Sequence, residues 1–268
     1  MFADGSENMR VALLHLDLSG GPEERNLAVL RSSISQAADA GAKWVVTPET
    51  ALQGYFFTQK GRPFQIPVQP SPEMEPIRQL ALQYGLTIFL GCAERDAATD
   101  LCYNSCLVIG ESGKVIGRHR KVRSHGTGSE AYAALGEQIE PIDCGAMRAG
   151  VLVCADAYFE EYAVQLKEKK ARVVVVPAAW PPGHCGGPPE VAWERCSRVS
   201  GLPVWVCNQT GNTEKMDMSQ AQSAVVVNGK VQLAYSGLAP AVILFDWNTE
   251  SQQLASREFT VLPVENWS

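Results

Sequence analysis

The chain has 268 residues, with 23 Lys and Arg against 29 Asp and Glu and a formal net charge of −6. That balance argues against nucleic acid or an anionic membrane as a partner. No apolar run approaches the roughly 20 residues of a membrane helix, and acidic residues 1–9 lack the layout of a secretory signal, so the expectation is a cytoplasmic protein with no membrane partner.

Residues 10–16 form an apolar run of strand type. Residues 23–40 then show helical spacing, with Leu27, Leu30, Ile34 and Ala37/Ala38 on one stripe, and Gly41 is placed to cap that helix. Trp44-Val45-Val46 opens a second strand that ends at Pro48-Glu49. This strand–helix–strand unit implies parallel strands with a right-handed crossover. Proline-rich 63–76 reads as loop, 77–84 as helix and 87–92 as strand. Residues 104–109 and 114–118 read as a hairpin turned by Glu111-Ser112-Gly113, and 124–129 as loop.

A second unit of the same kind follows: strand 150–154, helix 159–170 and strand 172–177. Residues 181–189 read as loop and 190–200 as helix. Strands are expected at 204–207, 222–227, 230–235 and 241–246, with Asn228-Gly229 as a type I′ turn. The expected fold is α/β, a four-layer α-β-β-α sandwich of two mixed sheets. Residues 10–247 are expected as one domain, after an N-terminal extension (1–9) and before a C-terminal tail (248–268) lying on the surface or on a partner subunit.

The eight cysteines, at 92, 102, 106, 144, 154, 185, 196 and 207, form no CxxC pair and mostly sit in apolar runs. They read as reduced core thiols, not a disulfide framework or zinc site. Cys154 differs because it ends the run Val151-Leu152-Val153 just before helix-forming sequence. A thiol there meets unpaired N–H groups and a helix dipole, both of which favour the thiolate.

Sites in α/β sheets form beyond the carboxyl ends of strands, where Glu49 and Cys154 both lie. Lys121 follows the hairpin strand. Together they offer a carboxylate base, a thiol nucleophile and an ammonium for the charge that develops on the substrate. The N–H of Ala155 is a candidate second donor to that anion. Tyr55 and Trp180 stand beside two strand ends as candidate pocket walls.

Several segments carry a resemblance in order along the chain. They include 41–49 with trailing Gly54-Tyr55, Gly91-Cys92-Ala93-Glu94, Tyr103-Asn104-Ser105 and 113–116 leading to Arg120-Lys121. Further on come 150–154 with Asp156, Phe159 and Glu161, then 177–181 with Ala179 and Trp180, and Asn208-Gln209-Thr210-Gly211. With these the sequence resembles the carbon–nitrogen hydrolase (nitrilase) superfamily, in its amidase-like branch. The resemblance implies an α-β-β-α sandwich with Glu49 as base, Lys121 as anion stabiliser and Cys154 as nucleophile. It implies a further glutamate after the lysine, with Glu130 the better match and Glu137 the fallback, and a homodimer or larger homo-oligomer. Tyr55, Ala155, Ala179 and Trp180 become the expected substrate-binding residues.

The chain departs from the pattern at Cys154-Ala155-Asp156, where relatives often carry an aromatic residue after the cysteine. The aspartate leans toward amides, and the alanine opens space beside the nucleophile. The segment Cys196-Ser197-Arg198-Val199-Ser200 also lacks the arginine and glutamate usual in that helix.

Other readings are weaker. A Cys–His pair would need one of His15, His119, His125 or His184. His15 reads as core, His119 and His125 as lining the pocket mouth, and none has the spacing of such a motif. His184-Cys185 lacks the ligand number for a metal, and 124–128 lacks the phosphate-loop arrangement. The expected activity is a cofactor-independent, metal-free amidase that releases ammonia from a small carboxamide through a cysteine thioester. A nitrilase or N-carbamoyl amine amidohydrolase is the alternative with the same residues, and an acyltransferase or non-catalytic scaffold the alternative of another class.

Overall fold

The computed structural model describes residues 8–59, 64–124, 126–183 and 187–264. The first half comprises β1 (Asn8–His15), α1 (Glu23–Asp39), β2 (Trp44–Val46), α2 (Glu75–Tyr84), β3 (Thr87–Arg95), β4 (Cys102–Ile109) and β5 (Val115–Arg120). The second runs through β6 (Ile142–Asp143), β7 (Arg148–Val151), α3 (Glu160–Glu168), β8 (Val173–Ala178), α4 (Pro189–Ser200) and β9 (Val204–Asn208). It ends with β10 (Asn212–Thr213), β11 (Met216–Asp217), β12 (Gln222–Val227), β13 (Lys230–Ser236), β14 (Ala241–Asn248), β15 (Gln253–Leu254) and β16 (Thr260–Pro263).

One sheet has the order β15-β14-β1-β2-β3-β4-β5, with β16 also on β14, and the other has β13-β12-β9-β8-β7-β6. Strands β1, β2 and β3 run parallel, as do β7, β8 and β9. These are the two strand–helix–strand units expected from the periodicity. Helix α1 packs on β14 of the first sheet with α2 beside it, and α4 packs on β9, β12 and β13 of the second with α3 beside it, giving the four-layer α-β-β-α sandwich. Buried on both faces, the parallel strands are almost continuously apolar: Val11–Leu14 and Val173–Val176 are wholly inaccessible. Trp205 of the second sheet meets Trp44, Phe245 and Trp247 of the first edge-on at 5.2–5.9 Å. These interlocked rings bury large apolar areas and set the sheets face to face.

Local chemistry accounts for the element ends. Gly41 (φ +87°) donates to Ala38 O and Ala42 to Ala37 O, so α1 closes with a Schellman motif that needs a left-handed residue. Asn228 and Gly229 both have positive φ, as the type I′ turn requires.

Three expectations change. Residues 72–76 are not loop: a 3-10 turn covers Pro72–Met74 and α2 starts at Glu75, because a proline in the first turn needs no N–H partner. The extension ends early, since β1 takes in Asn8 and Met9, paired to Asn248 and Trp247. The C-terminal segment, expected as a tail on the surface or on a partner subunit, carries two strands, β15 and β16, that add to β14. The helix after Cys154 starts at Glu160, within one residue of its expected start, behind a 3-10 segment Cys154–Tyr158.

His15 is fully buried, its Nδ1 2.9 Å from Ser223 Oγ and its Nε2 3.3 Å from Gly237 O. Burial pushes its pKa down to about 4. The unfolded chain therefore takes up this proton first, and its contribution, present in full above about pH 6.5, is lost as pH falls toward 4. Urea unfolding across that range should lose about 3 kcal/mol to this group, and His15→Gln should remove that part of the slope.

Candidate active site

Glu49 leaves the C-terminal end of β2 on a turn pressed against β3. A Cβ on Gly91 would lie 2.1 Å from Pro48 O, so only glycine lets the turn sit this close. Thr47 Oγ1 accepts from Gly91 N at 2.9 Å and fixes the approach. Gln209 Nε2 donates to Glu49 O at 2.8 Å and is itself held by Ser19. The Glu49 carboxylate is inaccessible; Oε1 accepts from Asn104 Nδ2 and Lys121 Nζ, both at 2.7 Å, and Oε2 from Ala179 N at 3.0 Å.

Lys121 extends β5 by one more backbone bond, N–H to Asn104 O at 2.8 Å. Its ammonium, 1% accessible, lies between Glu49 and Glu130 Oε1, the latter at 2.6 Å. Tyr55 Oη donates to the same Glu130 oxygen at 3.0 Å. Of the two glutamates expected after the lysine, Glu130 is therefore the one brought in. Glu137 is exposed and lines a separate cavity with Arg118 and Arg120.

Cys154 stands at the end of the β7 segment with φ +48°, a left-handed conformation unusual for a side chain with a Cβ. Asp156 holds this turn. Its Oδ2 accepts from Val153 N (3.0 Å) and His119 Nε2 (2.8 Å), and its Oδ1 from Val122 N (3.1 Å) and Arg123 N (2.8 Å). One carboxylate thus ties the Cys154 turn to the strand end that carries Lys121. His119 is spent on this contact and is buried, not at the pocket mouth. His125 and the His184-Cys185 pair lie outside the described residues. Among the described residues, no group of three or more His, Cys, Asp and Glu is placed to hold a metal.

The electrostatics divide the two carboxylates. Burial raises the pKa of Glu49, against the pull of Lys121 and with the push of Glu130. Glu130 is also raised by burial, but Lys121 and its hydrogen bonds win and hold it low. Lys121, despite burial, is raised well above its ordinary value by Glu49, Cys154 and Glu130. Burial and Glu49 push the Cys154 thiol well up, only partly offset by Lys121 and the Ala179 N–H. Burial and the Glu49 charge thus outweigh the thiolate-favouring helix start expected from the sequence and favour the thiol. Paired carboxylates with divergent pKa values, next to a thiol and a cation, can pass a proton from sulfur and stabilise a developing anion.

A cavity of about 830 Å³ opens on this group, lined by Cys154, Tyr55, Ala155, Ala179 and Trp180. Its outer wall was not legible as site: Tyr158 and Phe159, and the β10–β11 hairpin with Met216. Asn104 and Asn208 were also missed as supports, though a polar side chain inside each buried strand was a signal. Asn208 brackets Trp180, accepting from its N and donating to its O at 2.9 Å each.

A family profile described as carbon-nitrogen hydrolase matches residues 10–236. A nitrilase of Pyrococcus abyssi is 31% identical over 173 residues, 63% of this chain and 64% of that protein. A citrullinase of Francisella tularensis is 31% identical over 64% of this chain and 62% of its own length. The match thus spans just under two thirds of each. The omega-amidase NIT3 of Saccharomyces cerevisiae is 27% identical over 89% of both chains. The crystal structure of yeast Nit3 superposes with a TM-score of 0.79 at 24% identity, covering 91% and 92%. A variant of the amidase from Nesterenkonia sp. AN1, in complex with butyramide, gives 0.78 at 21%, covering 93% and 94%. These structures share the fold.

Two outcomes follow from the geometry. Because Glu130 raises the Glu49 pKa, Glu130→Gln should move the acid limb of any pH–rate profile that reports Glu49 to lower pH. Asp156→Ala leaves three backbone N–H groups and His119 without their acceptor, and should lower unfolding stability in urea by about 3–5 kcal/mol.

Proposed function

The chain belongs to the carbon–nitrogen hydrolase family, and from that premise we propose that it is an amidase working through a cysteine thioester. The observation that supports this most is the buried Lys121 ammonium, 2.7 Å from Glu49 and 2.6 Å from Glu130, whose partner Tyr55 lines the same cavity as Cys154.

In this reading Glu49 takes the thiol proton as the Cys154 sulfur attacks the amide carbonyl carbon. Concerted transfer suits a thiol whose pKa is raised and a carboxylate whose pKa is raised with it. The oxyanion of the tetrahedral adduct accepts from Lys121 Nζ and from Ala155 N–H. Collapse breaks the C–N bond, and the leaving nitrogen receives the proton from Glu49 and departs as ammonia. Glu49 then takes a proton from water, whose oxygen attacks the thioester; collapse releases the carboxylic acid and returns the proton to sulfur. Glu130 remains anionic, holds Lys121 and Tyr55, and keeps the ammonium charged. No step calls for a metal or cofactor.

The relatives support the coarse reaction and differ in substrate: a nitrilase, a citrullinase and an omega-amidase. In a second Nesterenkonia amidase variant the acetamide moiety of fluoroacetamide is covalently added at the active-site cysteine. Asp156 favours amides over nitriles here by the resemblance set out above. The reading includes one catalytic domain, a cytoplasmic setting and a homo-oligomer, the last testable by light scattering. No helix among the described residues is long and apolar enough to cross a membrane.

The test is ammonia release from primary amides, N-carbamoyl amines and aliphatic nitriles, with intact-mass detection of an acyl adduct. Primary amides should turn over fastest, Cys154→Ala should abolish turnover, and Glu49→Gln should lower kcat by at least about a hundredfold. Turnover that survives Cys154→Ala, or a panel with none, defeats the proposal.

A further inference from the structure

The cavity before Cys154, about 830 Å³, is of the size that holds drug-sized ligands and far exceeds a two- to four-carbon amide. Its lining is mostly apolar. Tyr55 has committed its hydroxyl to Glu130. Ala155 and Ala179 line the cavity with Cys154 and add nothing larger than a methyl, which leaves room for bulk next to the scissile carbonyl. The rest of the apolar wall is Tyr158, Phe159, Trp180, Pro181 and Met216.

Those rings are braced from behind. The Arg195 guanidinium lies 5.0 Å from the Tyr158 ring centre and donates to Tyr158 O. The Arg123 guanidinium lies 4.6 Å from the Phe159 ring centre, and Trp180 packs edge-on to Trp193 at 6.0 Å. The apolar wall is therefore preformed and loses little order on binding. At the rim the β10–β11 hairpin presents Glu214, Lys215 and Asp217. The Lys215 ammonium already donates to Gln59 Oε1 at 2.6 Å and Gln59 O at 3.2 Å, and lies over the Phe56 ring. Two carboxylates beside one engaged ammonium make the rim poor for a second anion.

We propose, resting on the amidase reading, that the substrate is a carboxamide whose acyl half is bulky, uncharged and apolar, aromatic or branched, and that amides carrying a distal carboxylate are rejected. The bulk belongs to the acyl half because the proposed reaction releases free ammonia. Each methylene moved from water onto such a wall is worth about fourfold in affinity, whereas a carboxylate there is desolvated without compensation.

The test compares butyramide, 3-phenylpropanamide and the monoamide of glutaric acid, by calorimetric binding to Cys154→Ala and by kcat/KM on the wild type. Binding of 3-phenylpropanamide should exceed that of butyramide by at least about thirtyfold, with the glutaric monoamide weakest. Ala155→Leu, which fills the space beside the nucleophile, should lower the preference for 3-phenylpropanamide over butyramide about tenfold. Glu214→Lys combined with Asp217→Lys should raise use of the glutaric monoamide about tenfold. Tighter binding of butyramide or the glutaric monoamide than of 3-phenylpropanamide overturns the inference, whatever the turnover. If the binding order holds and no amide is hydrolysed, the amidase reading falls while the pocket assignment stands.

Discussion

A lysine ammonium sealed inside a protein must be surrounded by anions, and the site follows from how this chain meets that demand. Lys121 has a carboxylate oxygen at 2.7 Å and another at 2.6 Å. Glu49 comes from the end of β2, Glu130 from a loop beyond β5, and Asn104 of β4 braces Glu49. The order β2-β3-β4-β5 is what brings those positions together. Gly91 is where the approach is tightest, since any side chain on β3 there would push the Glu49 turn away. Buried ion pairs are weak stabilisers, because desolvation consumes most of the attraction. Such a cluster, joined through Tyr55 to the wall of a large cavity, is better understood through its chemistry than through stability.

The same arrangement pushes the pKa of the Cys154 thiol up. A cysteine between strand and helix suggests a dipole-stabilised thiolate, but α3 begins six residues after Cys154. Between them lies a short 3-10 turn held by Asp156, and the sulfur is buried beside Glu49. Desolvation and a neighbouring negative charge outweigh the ammonium and one backbone N–H. The proposed mechanism accordingly couples proton transfer to the attack, and it asks for a close base of raised pKa. Burial and Glu130 together raise the pKa of Glu49, the base in that proposal.

Both strand–helix–strand units, the two hairpins and the sandwich could be read from the chain because buried parallel strands are continuous apolar runs and surface helices carry one apolar stripe. Strands β15 and β16 could not. They are short and largely exposed, and exist by pairing with β14, a relation that no local pattern encodes. Asn208 and Asp156 were visible as polar residues amid apolar sequence, but what each one holds, Trp180 in one case and the strand end before Lys121 in the other, is set by residues 28 and 33–37 positions away. The β10–β11 hairpin is polar and short, and only its position over the cavity makes it a wall.

Residue types and order were sufficient for the family and for the layering of helices and sheets. The layering follows from apolar periodicity and the family from motifs in order along the chain, which are properties of sequence. Tertiary structure alone brought Glu130, the better match in sequence, onto Lys121 and left Glu137 exposed, withdrew His119 from the pocket, buried Cys154 beside Glu49 and turned the space beside Ala155 into a braced apolar cavity. Each of these rests on through-space distance and on exclusion of water, and both come into being only when the two sheets close on one another.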